Sequence, residues 1–404
     1  MYKRTIVTAA LCGSLLAAAA VAQMTGVEVV PNNGVTGILF GTSVGIWGDV
    51  AAVGAAFDNG NRGSVYVYAR IGTAWPYQTT LSPAESIVGD QVGAYTEVYG
   101  NQVFAGSPKH GMASGPYPGA VFVFTFNGAA WIETQMLQAT PAVDNGRFGA
   151  RYAIDGNTML VSGTDENGKK SAYVFTNDGG IWSQTGKLQP TQGGDFGSHI
   201  SLSGNVAVVG AAFGTNDSAV QTGTAYVFTR SNGTWSQTTR LTASTSASGD
   251  NFGVSVSAFG STIVVGAPNE SVGGVHRGAA HVYQYTNGSW TELLPALTAA
   301  DGVSGNTFGK DVRVCRDRVF VGASNLSIGG NSAEGAVYRF DDIAGAWTFQ
   351  DEFTLPAPGR SSAYFGDHLG VSSNGLIVGA PFADQAYVYM EGCAPDPVYA
   401  SGFE

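Results

Sequence analysis

The chain has 404 residues, of which 58 are Gly, 44% are hydrophobic and only 12% are charged. Frequent Gly and scarce charge exclude coiled coils and helical solenoids, the lack of a three-residue Gly period excludes collagen, and the apolar content excludes a disordered chain. The net charge of −11 argues against a nucleic-acid partner, because phosphate binding depends on clustered Lys and Arg. The composition therefore predicts a turn-rich, all-β protein.

The first 22 residues have the layout of a cleaved secretory signal peptide. Lys3 and Arg4 precede an apolar stretch that ends in the small residues Ala20, Val21 and Ala22. A retained membrane anchor is the alternative, but the stretch is short for a bilayer span. We expect a mature chain that starts at residue 23, lacks a transmembrane segment and is secreted to the extracellular space or the periplasm.

A Phe-Gly pair recurs along the rest of the chain and defines seven repeats. Successive pairs lie 48 to 57 residues apart, and Val-Gly stands for Phe-Gly in the second repeat. The seven repeats start at Phe40, Val92, Phe148, Phe196, Phe252, Phe308 and Phe365.

Each repeat contains the signals of four short antiparallel strands. In the fifth repeat, residues 252–268 form two apolar runs around a Gly-Ser turn, and residues 281–293 form two more around Asn287 and Gly288. Asn-Gly is a strong hairpin signal because both residues tolerate positive φ. Four strands repeated seven times predict a seven-bladed β-propeller over residues 23–391, with a short tail at residues 392–404.

The seventh repeat ends after its third strand and lacks a fourth one. Val27 to Val30 lie about as far before Phe40 as the fourth strands lie before the next Phe-Gly pair. We therefore predict that residues 24–39 complete the seventh blade and close the ring without a long exposed edge.

The phrases FG…VVGAPNE…GAAHVY and FG…VVGAA…GTAYVF resemble FG-GAP repeats, the units of the integrin α-subunit head and of many secreted bacterial proteins. The resemblance covers essentially the whole mature chain. It implies a seven-bladed propeller used in extracellular recognition or adhesion, without a shared catalytic apparatus. Calcium-binding members carry an Asp- and Asn-rich loop between the first and second strands, because Ca²⁺ needs several converging oxygens. The corresponding turns here offer at most one carboxylate each, so we expect no metal and no other cofactor.

One register of the innermost strands carries polar side chains in all seven repeats. The residue three positions after each Phe is Ser43, Tyr95, Arg151, His199, Ser255, Asp311 or His368. Tyr95, Arg151, His199, Asp311 and His368 are candidate ligand-binding residues of a ring in the central channel. The alternative is that these side chains only satisfy one another and channel water.

The loops between second and third strands form a second candidate surface, because loops on a rigid scaffold often carry recognition. Their candidate residues are His110, Tyr117, Glu270, His276 and Arg277. The alternative is an ordinary surface that tolerates long Gly- and Ser-rich loops. Trp recurs at the fourth strand of six repeats, which favours a packing role over a carbohydrate platform.

Two cysteines remain after removal of the signal peptide, and both fall at turns on one face of the predicted ring. Cys315 ends an inner strand and Cys393 follows the third strand of blade seven. They either form a disulfide that pins the ring closure or remain separate thiols.

No catalytic motif is present. The leading hypothesis is a monomeric, non-enzymatic extracellular binding or adhesion module for a protein or glycan. The first alternative is a glycan-active hydrolase or lyase that uses loop carboxylates such as Asp165, Glu166, Glu270 and Asp384. The second alternative is a structural scaffold domain.

Overall fold

The structure is a computed structural model that describes residues 26–111, 117–192, 195–215 and 220–393. These residues form seven four-stranded antiparallel sheets, arranged as the blades of a ring. The prediction of an all-β, seven-bladed propeller is confirmed. The proposed signal peptide and most of the C-terminal tail lie outside the described residues.

The strands follow one another from the channel outwards in blades 1 to 6. Blades 1 to 3 contain β2 (Phe40–Trp47), β3 (Val50–Ala55), β4 (Ser64–Ala69) and β5 (Tyr77–Leu81); β6 (Tyr95–Tyr99), β7 (Gln102–Ser107), β8 (Ala120–Phe126) and β9 (Trp131–Leu137); and β10 (Tyr152–Asp155), β11 (Thr158–Thr164), β12 (Lys170–Asp178) and β13 (Ile181–Leu188). Blades 4 to 6 contain β14 (Phe196–Ser203), β15 (Val206–Ala211), β16 (Thr224–Ser231) and β17 (Thr234–Leu241); β18 (Ser255–Phe259), β19 (Thr262–Ala267), β22 (Ala279–Thr286) and β23 (Ser289–Leu297); and β24 (Val312–Cys315), β25 (Arg318–Ala323), β26 (Ala336–Ile343) and β27 (Ala346–Phe353).

Short elements lie in the loops between second and third strands of three blades. They are a helical turn at Asp58–Asn61, a hairpin of β20 (Ser271–Val272) and β21 (Val275–His276), and a 3-10 turn at Pro381–Ala383. All three lie on the face where the inner strands begin, which we call the FG face.

The seventh blade is closed by the N-terminal strand, as predicted. Its inner three strands are β28 (Leu369–Val371), β29 (Leu376–Ala380) and β30 (Gln385–Tyr389), and β1 (Val27–Val29) pairs antiparallel with β30 as the outer strand. The Asp384 carboxylate accepts hydrogen bonds from the backbone N–H groups of Ile38 (3.2 Å) and Phe40 (3.1 Å). The two ends of the propeller are thereby joined by backbone pairing and by the hydrogen bonds of one partly buried carboxylate.

The hydrophobic core is divided among the interfaces between blades. In one cluster, Val65 and Val67 of blade 1 pack with Val103 and Phe122 of blade 2, and all four side chains are fully buried. Each large apolar side chain of this kind contributes about 1.5–3 kcal/mol by burial. Stability therefore depends on each blade covering the face of the next.

Glycine recurs where neighbouring blades touch through their backbones. Gly253 has a φ of +90°, and a Cβ at this position would overlap the carbonyl oxygen of Thr224. A Cβ at Gly210 in blade 4 would overlap the carbonyl oxygen of Gly253 in blade 5. Much of the high Gly content thus follows from the close approach of consecutive blades.

Candidate functional site

The five predicted channel residues come from five blades and meet at the FG-face end of the central channel. Tyr95, from blade 2, lies between His199 and His368, and each ring-centre separation is 6.3 Å. The Arg151 guanidinium lies 5.2 Å from the centre of the Tyr95 ring. Asp311 lies beside both histidines, with O···N distances of 3.9 Å to His199 and 3.8 Å to His368. We call this group the channel ring.

Two charged residues of the channel were missed by the sequence reasoning. Arg313 donates a 2.7 Å hydrogen bond to Asp311, two positions earlier on the same strand. Glu97 lies two positions after Tyr95, and it interacts electrostatically with Arg313 and Asp311. Alternate residues of a strand face the same side, so this two-residue spacing is the signal that would have found them.

Burial of the channel groups disfavours their charged forms. Burial lowers the pKa of His199, and the positive charges of Arg313 and Arg151 lower it further. Burial also lowers the pKa of His368, so both imidazoles are neutral at pH 7. Burial raises the pKa of Glu97 to about 7, against the opposing effect of Arg313.

Some channel side chains have a structural role. The innermost strand of each blade is an edge strand, and its outward N–H groups need acceptors. The Asp311 carboxylate accepts the Leu369 N–H at 2.9 Å, and the Ser257 hydroxyl accepts the Val314 N–H at 2.9 Å. The channel thus contains side chains that join neighbouring blades by hydrogen bonds and other side chains that take no part in these interblade bonds.

The interface between blades 3 and 4 differs from the other six on the FG face. At each of those six, a glycine of the second strand lies against a carbonyl of the next Phe-Gly or Val-Gly pair. The corresponding residue of blade 3, opposite Arg151, is Ser162, and its Cβ lies 3.2 Å from the position of a Cβ built at Gly197. A cavity of about 250 Å³ opens here and is lined by Arg151 together with Arg147, Lys170 and Asp195, among others. The cavity reaches Arg151 of the channel ring.

The loop residues predicted for recognition do not form one cluster of free side chains. His110 is largely buried, and its Nδ1 lies 2.8 Å from Asp90 Oδ2. Tyr117 and Arg277 are half-buried, and residues 112–116 of the Tyr117 loop lie outside the described residues. His276 is exposed in the small hairpin and its Nδ1 lies 2.8 Å from the Ser271 hydroxyl.

Glu270 is not part of an exposed loop surface. It is 3% exposed, and its Oε2 lies 2.6 Å from Nε2 of the fully buried His281. The other ring nitrogen of His281 lies 2.7 Å from Glu292 Oε1. Burial alone would lower the pKa of His281, but the two carboxylates raise it to about 9. Glu270 therefore belongs to a buried ion cluster that fixes its loop to the blade.

The other carboxylates considered for catalysis are also engaged. Asp165 is 1% exposed and accepts hydrogen bonds from Lys187 (2.8 Å) and Gln189 (2.7 Å). These bonds, with backbone donors, hold its pKa below the usual range although burial acts in the opposite direction. Glu166 is exposed and lies 3.3 Å from Lys187 Nζ, and Asp384 holds the N-terminal segment as described above.

Cys315 and Cys393 form a disulfide on the face opposite the FG face, with a Cα–Cα distance of 5.6 Å. Beside it, Glu391 accepts hydrogen bonds from Arg318 (3.1 Å) and Arg339 (3.0 Å) of blade 6. The end of the described chain is therefore attached to blade 6 by both a covalent bond and ion pairs.

Neither a metal site nor a membrane helix is found in the part of the chain that the structure describes. No group of three or more His, Cys, Asp and Glu side chains is arranged there to hold a metal ion. No helix in the same residues is long and apolar enough to cross a bilayer.

Seven four-stranded blades around a channel define the protein as a β-propeller. The FG-GAP repeat family matches residues 26–68, 182–228 and 235–283. Each match runs from the outer strand of one blade, or just before it, into the third strand of the next, so the sequence repeat is offset from the blade by one strand. The chain is a seven-bladed β-propeller with FG-GAP repeats in these three places. No curated protein matches it.

Proposed function

We propose that the chain is a secreted, non-enzymatic binding module whose ligand, an extracellular protein or glycan, contacts the channel ring from the FG face. The observation that carries this proposal is the buried polar cluster of the channel ring, which brings side chains of five blades together. The same register holds Ser43 and Ser255 in blades 1 and 5, so the repeat itself does not require charged or aromatic groups there.

The contacts of the candidate carboxylates favour binding over glycoside hydrolysis. A hydrolase needs a pair of carboxyl groups that face one cleft and are free to act on substrate. Asp165, Glu270 and Asp384 instead belong to three different blades, and each is held by its own structural hydrogen bonds.

Secretion is supported by two features of the chain. The N-terminal residues have the pattern of a signal peptide, and the Cys315–Cys393 disulfide is a bond that oxidising compartments preserve.

The proposal is tested by a binding array of glycans and extracellular proteins probed with the purified chain from residue 23. The double variant Arg151→Ala, His199→Ala is compared with Arg70→Gln, which removes a charge paired with Asp49 on the opposite face. We expect a specific partner whose binding is lost in the double variant and retained in Arg70→Gln. Absence of any partner favours a scaffold role and contradicts the proposal.

A further inference from the structure

His199 presents to the channel a hydrogen-bond donor that no acceptor in the described part of the chain uses. The Val256 N–H donates to its Nδ1 at 3.5 Å, which assigns the proton of the neutral ring to Nε2. His199 is only 4% exposed, and its Nε2 has no hydrogen-bond partner among the described residues. The Asp311 oxygen at 3.9 Å is beyond hydrogen-bonding distance.

Arg151 adds a positive charge at the same place. Its Nη1 donates to the Ala150 carbonyl at 2.8 Å, while its buried Nε has no acceptor among the described residues. Arg313, the other arginine of the channel, is instead paired with Asp311 at 2.7 Å. Arg151 is therefore the channel cation that lacks a carboxylate partner in the described part of the chain.

We propose that the channel ring binds a carboxylate group between Arg151 and Nε2 of His199. The inference rests on the proposed binding function and names the chemistry that the site recognises. Two carboxylate oxygens match an arginine N–H and an imidazole N–H, and charge-assisted hydrogen bonds of this kind are strong. Within the channel, Arg151 is the one arginine of the described residues without a carboxylate partner, which matches one negative charge rather than two.

The surroundings of the site restrict the size of the group that enters. The Tyr95 ring lies against both His199 and His368, so the channel is narrow at this level. The 250 Å³ cavity between blades 3 and 4 provides a route from the FG face to Arg151. Two cations on its walls, Arg147 and Lys170, outnumber the one carboxylate, Asp195, so the net charge of the route favours anions. The carboxylate comes either from a small free acid or from the end of a larger ligand.

The test is calorimetric titration of the mature chain with sodium acetate at constant ionic strength, with acetamide as the uncharged control. We expect saturable binding of acetate and none of acetamide. Arg151→Gln should weaken acetate binding about tenfold or more, because a hydrogen bond to a charged group is worth about 1.5–3 kcal/mol. Arg70→Gln, which removes the same charge elsewhere, should leave it unchanged.

Arg151→Lys provides a second variant that keeps the positive charge, and thermal denaturation checks that each variant is folded. Acetate binding that is equal in wild type and both Arg151 variants overturns the proposal, as does equal binding of acetamide. Titration with triglycine and with its C-terminal amide distinguishes the two sources of the carboxylate, a small free acid and the end of a larger ligand. Binding of acetate alone indicates a small acid, whereas binding of triglycine but not its amide indicates a carboxylate end of a longer ligand.

The two proposals fail in different ways. If a partner from the array binds the Arg151→Gln variant as tightly as wild type, the binding function is supported and the carboxylate site is overturned. Acetate binding that depends on Arg151, without any array partner, supports the carboxylate site and counts against a protein or glycan ligand.

Discussion

The buried His281 cluster of blade 5 predicts a pH dependence of stability that one substitution removes. His281 lies between Glu270 and Glu292 at a position where most other blades carry Tyr. Its pKa is about 9 in the folded protein against 6.5 for the free side chain. A group with a raised folded-state pKa stabilises the protein fully below its unfolded pKa, and this stabilisation is lost as the pH rises through 9.

The size of the effect follows from the two pKa values. A shift of one unit corresponds to about 1.4 kcal/mol, so between pH 6 and pH 9.5 the histidine loses about 3 kcal/mol of its contribution. Unfolding entropy is about 2.1 cal/mol/K per residue, or about 0.8 kcal/mol/K for 404 residues. The expected change in Tm is therefore about 4 °C.

The assay is thermal denaturation of wild type and His281→Gln at pH 6 and pH 9.5. Gln keeps a hydrogen-bonding group between the carboxylates but carries no charge, so we expect its Tm to be lower by about 4 °C at pH 6 and nearly equal to wild type at pH 9.5. His276→Gln changes an exposed histidine of the same blade and should have no effect. An equal Tm difference at both pH values would show that the charge of His281 does not stabilise the fold.

Other predictions concern the ring closure, the disulfide and the contacts between blades. Val29→Asp places a charge at a position that is 2% exposed in the closing strand, and it should lower the Tm of the whole propeller; an unchanged thermal transition contradicts the closure. Replacing Cys315 and Cys393 together with Ser opens a loop with a sequence separation of 78, which should cost about 4 kcal/mol in denaturant unfolding and abolish any effect of reductant. Gly253→Ala should lower the Tm of the propeller more than Gly197→Ala, although both glycines have positive φ. A new Cβ at Gly253 would overlap a backbone oxygen, whereas the nearest atom to a Cβ at Gly197 is Ser162 Cβ, at 3.2 Å. Equal melting temperatures for the two Ala variants would contradict this account of the interfaces.

The fold could be predicted from the sequence because each repeat encodes the same local structure. Phe-Gly pairs, Asn-Gly turns and apolar runs recur in phase, so seven weak signals support one architecture. The closing strand at Val27–Val29 could be predicted for the same reason, since it occupies the phase of a missing fourth strand.

The channel ring was also accessible to sequence reasoning, because a repeat brings equivalent residues to one level of the ring. Glu97 and Arg313 were missed because only one register of the inner strand was compared. The role of Glu270 could not be read from the sequence, since it depends on His281, a local departure from the repeat. Long loops contain such pair-specific contacts, which no periodic pattern reveals.

Direct observation of a bound carboxylate would establish whether this propeller binds a ligand in its channel. The most direct measurement is a pair of high-resolution crystal structures, one grown with sodium acetate and one without it. We expect planar carboxylate density in contact with Arg151 and Nε2 of His199 in the acetate crystals alone. Unchanged density in the channel, with acetate bound only at the outer loops, would contradict this expectation.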